Sequence, residues 1–198
     1  MGIIQYGDII RLANGYAFES DVKKDWTGGY LGIGDSYPRL DHGIDRVGAY
    51  KSYDNHDLQT QWTIKKVATT GDGADVFSGD RVRLQNAVDQ TYLALFNFDE
   101  ASDVGYTVAT TDDTDIISIA SDWTIFIYSG ASANNARLKD GAYIYLVSTF
   151  PKKDQGHLAA TLDTNGVGSA YQFQFLVTGG RLINRDGGSG SWQVTSVS

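Results

Sequence analysis

Asp35, Asn97 and Asp163 stand at comparable points of the chain. Each lies four or five residues after a leucine that follows an aromatic residue or a histidine, namely Leu31, Leu93 and Leu158. Asp99 follows Asn97 by two positions, and Asn165 follows Asp163 by two. Tyr37, Phe98 and Tyr171 are close by. A carboxylate or amide beside an aromatic ring suits sugar recognition, because the polar group exchanges hydrogen bonds with hydroxyls while the ring stacks on the pyranose face. Asp and Asn are equally the ordinary turn formers of hairpins, so the same residues also admit a purely architectural reading. Trp26 lies in an insert between Gly15 and Gly28 that also holds Tyr16 and Phe18. It reads either as an exposed stacking residue or as a cover for the sheet below.

Other chemistries find less support. Asp72, Asp75 and the run Asp112, Asp113 and Asp115 are acidic enough to raise calcium, but neither group has the twelve-residue loop spacing that ends in Glu. They read as solvated loop charge, and no metal site is expected. His42, His56 and His157 are unrelated by any zinc-ligand spacing. Glu19 and Glu100 are the only glutamates, and no aspartate spacing singles out a glycosidase pair. No nucleophile elbow is present, and Gly187-Gly188-Ser189-Gly190 lacks the lysine of a phosphate loop. The reading is therefore non-enzymatic, without a cofactor.

The elements that must position these residues are strands. The chain has 198 residues, with 23 Gly, 2 Pro, 12 Tyr and one Met, a composition of strands and tight turns. Its net charge of −8 works against a phosphate backbone as partner. Residues 1–76 carry 8 Lys+Arg against 11 Asp+Glu, residues 77–137 carry 3 against 9, and residues 138–198 carry 5 against 4, so no segment is strongly basic. With no cysteine, disulfides and thiol chemistry are excluded. Ile3-Ile4 followed by Asp8 does not make a signal peptide, and no apolar run reaches membrane-spanning length. A cytoplasmic or non-classically secreted location is expected, with no membrane insertion.

Four markers recur three times in one order. Gly stands five residues before Leu in Gly7–Leu12, Gly79–Leu84 and Gly141–Leu146. Ile10, Val82 and Ile144, two positions before each Leu, share its strand face and point inward. The second marker is Tyr30-Leu31-Gly32, Tyr92-Leu93-Ala94 and His157-Leu158-Ala159. The third, looser, is Val47 to Tyr50, Val104 to Thr107 and Ser169 to Gln172. The fourth places Trp62, Trp123 and Trp192 each two residues before an aliphatic residue. Three four-stranded units, approximately 1–76, 77–137 and 138–198, predict a single all-β domain with β-trefoil architecture: a six-stranded barrel capped by three hairpins.

The Gly-Asp-x-x-Arg-Leu run of Gly79–Leu84, with Tyr92-Leu93 following, resembles the opening of MIR-type and fascin-type trefoil repeats. The Trp-x-Ile closing strand resembles the end of the ricin B-type lectin repeat. That repeat has Gln two residues before the Trp, where this chain has Thr60, Ser121 and Gly190. The resemblance implies the β-trefoil superfamily and a lectin-like, non-catalytic carbohydrate-binding role with up to three related sites. Glycans are the expected partners. The alternative is a protein-binding module, such as a protease inhibitor or a toxin targeting module, acting through one long loop at 15–28 or 33–46.

Overall fold

Apolar residues alternate with polar ones along short segments rich in Val, Ile, Tyr and Thr, and these segments become strands. The computed structural model describes residues 2–16, 28–67, 73–96, 105–128, 136–152, 156–167, 172–181 and 187–197. Within them the strands are β1 (Ile9–Asn14), β2 (Tyr30–Ser36), β3 (Asp45–Tyr50), β4 (Trp62–Lys66), β5 (Arg81–Asn86), β6 (Tyr92–Phe96), β7 (Tyr106–Thr111), β8 (Trp123–Ile127), β9 (Tyr143–Lys152), β10 (Gly156–Val167), β11 (Phe175–Gly180) and β12 (Trp192–Ser196). One helix, α1 (Thr114–Ala120), precedes β8.

Every pairing is antiparallel. β1 pairs with β4 and β12, β5 with β4 and β8, and β9 with β8 and β12, so six strands close into a ring. β2–β3, β6–β7 and β10–β11 are hairpins. They join the ring through β1–β2, β5–β6 and β9–β10. They also bond to one another through β3–β7, β7–β11 and β3–β11. All twelve strands thus belong to one hydrogen-bonded antiparallel sheet, which closes into a barrel.

This corrects the β-trefoil assignment, and with it the kinship to trefoil families. The expected hairpins were separate caps on a six-stranded barrel. Instead they continue the wall and bond sideways to their neighbours, Arg46 of β3 to Ala109 of β7, Thr178 of β11 to Thr107 of β7, and Phe175 of β11 to Ala49 of β3. The coarser expectation, an all-β chain, stands.

The recurring inward residues make the core. Ile10, Leu12, Val82, Leu84, Ile144 and Leu146 are buried together with all three repeated tryptophans. Each buried indole N–H has a carbonyl to meet: Trp62 Nε1 donates to Leu31 O at 3.0 Å, Trp123 Nε1 to Leu93 O at 3.0 Å, and Trp192 Nε1 to Leu162 O at 2.9 Å. A buried donor left without a partner is costly, so these bonds fix where each second strand crosses its tryptophan. They also show a slip in the sequence markers. The equivalent of Leu31 and Leu93 is Leu162, not Leu158. The third marker slips as well: the cross-strand partners of Leu31, Leu93 and Leu162 are Ala49, Thr110 and Gly179.

Two further devices repeat. Gly7, Gly79 and Gly141 have φ of 98°, 94° and 79°, the left-handed region glycine enters without a Cβ penalty, at the turn that admits each first strand. Seven residues after those glycines sit Asn14, Asn86 and Ser148, all buried. Asn14 Nδ2 donates to Ser189 O at 2.7 Å and Asn86 Nδ2 to Gln59 O at 2.9 Å, each a carbonyl three residues before a core tryptophan. The shorter Ser148 Oγ reaches only Asp122 O, one residue before Trp123, at 3.0 Å. These side chains tie neighbouring strands together where backbone pairing ends.

Candidate binding surface

Among the described residues, the polar side chains singled out by spacing sit in different settings. Asp35 is exposed near the end of β2. Its charge adds to burial, the larger cause, in pushing the Tyr50 hydroxyl up to about 12. That hydroxyl donates to Ile33 O at 2.8 Å. Tyr37 is half-buried, and the Arg46 guanidinium lies over its ring at 3.9 Å, so one ring face is already covered. Asp163 is 1 % exposed on β10, opposite Thr178. It follows Leu162 directly and so occupies the position of Gly32 and Ala94. The turn equivalence expected between Asp35 and Asp163 is therefore corrected: a four-residue slip carries Asp163 from a turn into a strand. Asn165, half-buried, lies on the same strand opposite Leu176. Asn97, Asp99 and Trp26 lie outside the described residues, as do Phe98 and Tyr171.

The acidic run at 112–115 has a structural use. Asp113 caps α1, its Oδ1 accepting from Asp115 N at 2.9 Å and Ile116 N at 3.2 Å. Those two bonds hold its carboxyl below the usual carboxylate range, with His42 adding to them. Among the described residues, no three His, Asp or Glu side chains gather where they could hold a metal ion.

A different surface stands out on the outside of the ring. On β8 and β9, Ile125, Ile144 and Leu146 point inward and are buried, so alternate residues point out. The outward residues are Thr124, Phe126 and Tyr128 on one side and Tyr143, Tyr145 and Val147 on the other. Phe126 faces Tyr145 across the ladder, and Tyr128 N donates to Tyr143 O at 2.8 Å, one step further on. Phe126 is 46 % exposed and Tyr128 68 %, while Tyr143 and Tyr145 are half-buried. Four aromatic residues thus form a two-by-two patch, their Cβ atoms about 5 Å apart across the strands and about 7 Å along them.

The two equivalent walls carry no such patch. On β4–β5 the outward pairs are Thr63 with Gln85 and Lys65 with Arg83. On β12–β1 they are Gln193 with Ala13 and Thr195 with Arg11, and one step further Val197 N donates to the carbonyl of Ile9, an aliphatic residue and not a ring. A water-facing sheet surface normally carries such polar residues, and exposed rings gathered at one spot mark a place of interaction. The spacing of polar residues missed this wall. The signal was in the sequence nonetheless: Phe126, Tyr128, Tyr143 and Tyr145 are aromatics at the outward parity of strands whose inward parity was already identified. Chemically the wall offers ring faces for stacking and the phenol hydroxyls of Tyr128 and Tyr145 for hydrogen bonds, and its outward pairs carry no charge.

No family model matches the chain, and no curated protein matches it. Solved structures do. A Caenorhabditis elegans protein of unknown function superposes with TM-score 0.67 at 19 % identity, over 98 % of this chain and 96 % of its own. The SDF2-like protein of Arabidopsis thaliana superposes with TM-score 0.69 at 18 % identity, over 98 % and 95 %. The likeness is one of fold. The Saccharomyces cerevisiae protein O-mannosyltransferase Pmt1–Pmt2 complex, bound to its sugar donor, has the same fold in part: TM-score 0.65 at 19 % identity, over 98 % of this chain but 25 % of the other.

Proposed function

We propose that the chain is a non-catalytic carbohydrate-binding module whose ligand lies on the β8–β9 wall. The carrying observation is the outward patch of Phe126, Tyr128, Tyr143 and Tyr145, which the two equivalent walls lack. Aromatic rings present a face that packs against the C–H face of a pyranose, and the hydroxyls of Tyr128 and Tyr145 serve the sugar hydroxyls at the rim. The outward pairs of this wall bear no charge and the chain carries −8, so a neutral glycan is the favoured class and an anionic one is disfavoured. One solved structure of like fold is a protein O-mannosyltransferase complex bound to its sugar donor, which supports trying glycans first. The proposal rests on one wall rather than on three related turns.

Binding through a single loop to a protein partner has less to support it. The segment 33–46 is engaged inside the molecule, with Leu40 buried against the second unit. A glycan array probed with the wild-type chain and with Tyr128→Ala tests the proposal. Neutral glycans should be retained by the wild type and lost by the variant, with an affinity drop of about tenfold or more. Absence of any glycan signal, or equal signals from both proteins, would count against it.

A further inference from the structure

The aromatic wall does not end at β9. On its other side β9 pairs with β12, and there Gln193 stands directly opposite Tyr143. Residues opposite each other on an antiparallel ladder share a face, with Cβ atoms about 5 Å apart. Gln193 is outward by its own parity as well, because Trp192 and Val194 on either side of it are buried in the core. One outward row therefore crosses three strands, from Tyr128 on β8 through Tyr143 on β9 to Gln193 on β12. Beyond Gln193 the row drops to Ala13 of β1, a small residue 6 % exposed.

The amide of Gln193 is held in place and only partly used. Its Nε2 donates to Gly141 O at 3.4 Å, which keeps the half-buried side chain over the start of β9. A primary amide has two N–H donors and an acceptor oxygen, so one N–H and Oε1 remain for a ligand. A donor and an acceptor side by side match two adjacent hydroxyls of a pyranose, one accepting and the other donating. A ring cannot read hydroxyls in this way, because it packs on the C–H face. The corresponding seams of the barrel differ. The residue that directly follows each of the other core tryptophans faces no ring: Thr63 stands opposite Ile9, and Thr124 opposite Arg81.

We propose that Gln193 is the specificity-determining residue of the wall, reading a pair of adjacent hydroxyls on a sugar packed over Tyr143, so that the glycan lies across β8, β9 and β12 rather than along β8 and β9. The proposal rests on the glycan reading and names what that site selects: a neutral sugar with two adjacent free hydroxyls in one relative orientation. Inverting either hydroxyl swings it away from the amide and leaves a donor or an acceptor unmet, whereas the stacking face is kept. The rings thus supply grip, and the amide supplies choice.

Titration calorimetry with the neutral glycan best retained on the array, and with its epimers at each ring hydroxyl in turn, tests this. Wild type should prefer the parent sugar over the epimers at two adjacent positions by about fivefold or more. Gln193→Ala and Gln193→Met should both bring that ratio to about one while still binding, since the rings remain; the methionine keeps the side chain's length and removes only its hydrogen bonds. Thr124→Val, outward on the same wall but displaced along the strands, should leave the ratio as it is. A ratio that survives both Gln193 variants overturns the proposal, and so does an equal loss for all epimers, which would make Gln193 a mere support for Tyr143. Loss of the ratio in Thr124→Val alone overturns it by placing the glycan along the strands. Failure of the glycan reading looks different: wild type then retains no neutral glycan, or Tyr128→Ala binds as wild type does, and this proposal falls with it.

Discussion

The β8–β9 and β4–β5 walls are built on the same inward frame and differ only outside. Both bury a tryptophan and an aliphatic residue two positions on, Trp123 with Ile125 and Trp62 with Ile64. Both lie beside a first strand with buried apolar residues, Ile144 and Leu146 in one and Val82 and Leu84 in the other. Outside, one wall shows Phe126, Tyr128, Tyr143 and Tyr145, and the other Thr63, Lys65, Arg83 and Gln85. The inward set answers to packing, where volume and a partner for each indole N–H are required. The outward set is free of that demand. A departure there from a polar surface has no structural cause of its own, and this singles the wall out.

The sharpest way to break the comparison is to strike the same strand inward and outward. Trp123→Ala should cost about 3–5 kcal/mol, since it opens a cavity and orphans Leu93 O. Tyr128→Ala, on the same segment, should stay within about 0.5 kcal/mol of wild type. Urea melts of both variants check this. A large loss for Tyr128→Ala would mean that the rings hold the barrel rather than await a ligand. Next in size is Asn86→Ala, which leaves Gln59 O and the Val88 N–H without their side-chain partner and should cost about 1–3 kcal/mol. Ser148→Ala, which removes a single bond to Asp122 O, should cost less, at about 0.5–1.5 kcal/mol. Equal losses would show that the second bond of Asn86, to the Val88 N–H, adds no stability. Smallest is Gly79→Ala: nothing lies within 4 Å of an added Cβ, so only the backbone penalty at φ 94° remains, about 1 kcal/mol.

Much of the barrel was legible because inward residues repeat with period two and the tryptophans recur at one position. The hairpins were less so. The aromatic–Leu–small pattern at His157-Leu158-Ala159 imitates the marker of the other units, but β9 and β10 run on through Lys152 and from Gly156, so the true equivalent comes four residues later at Leu162. There Asp163 replaces the small residue and hides the pattern. The segment between β2 and β3 was illegible for another reason: it packs Leu40 on Ala94, Phe96 and Ala109 and pairs His42 with Asp113 across two units, and neither contact has a local signature. Asp113 read as loop charge because a cap and a solvated aspartate look alike until the helix behind it, α1, is seen.

The central claim is that the outward rings, and not the barrel as such, hold a neutral glycan. Its most direct measurement is retardation of the folded chain in gels cast with neutral polysaccharides that the array picks out. Wild type should be compared with Phe126→Ala/Tyr128→Ala and with Lys65→Ala/Arg83→Ala on the equivalent wall. The account predicts that wild type and the Lys65/Arg83 variant are retarded alike while the Phe126/Tyr128 variant runs free. Retardation that survives loss of the rings, or that disappears with Lys65 and Arg83, would contradict it.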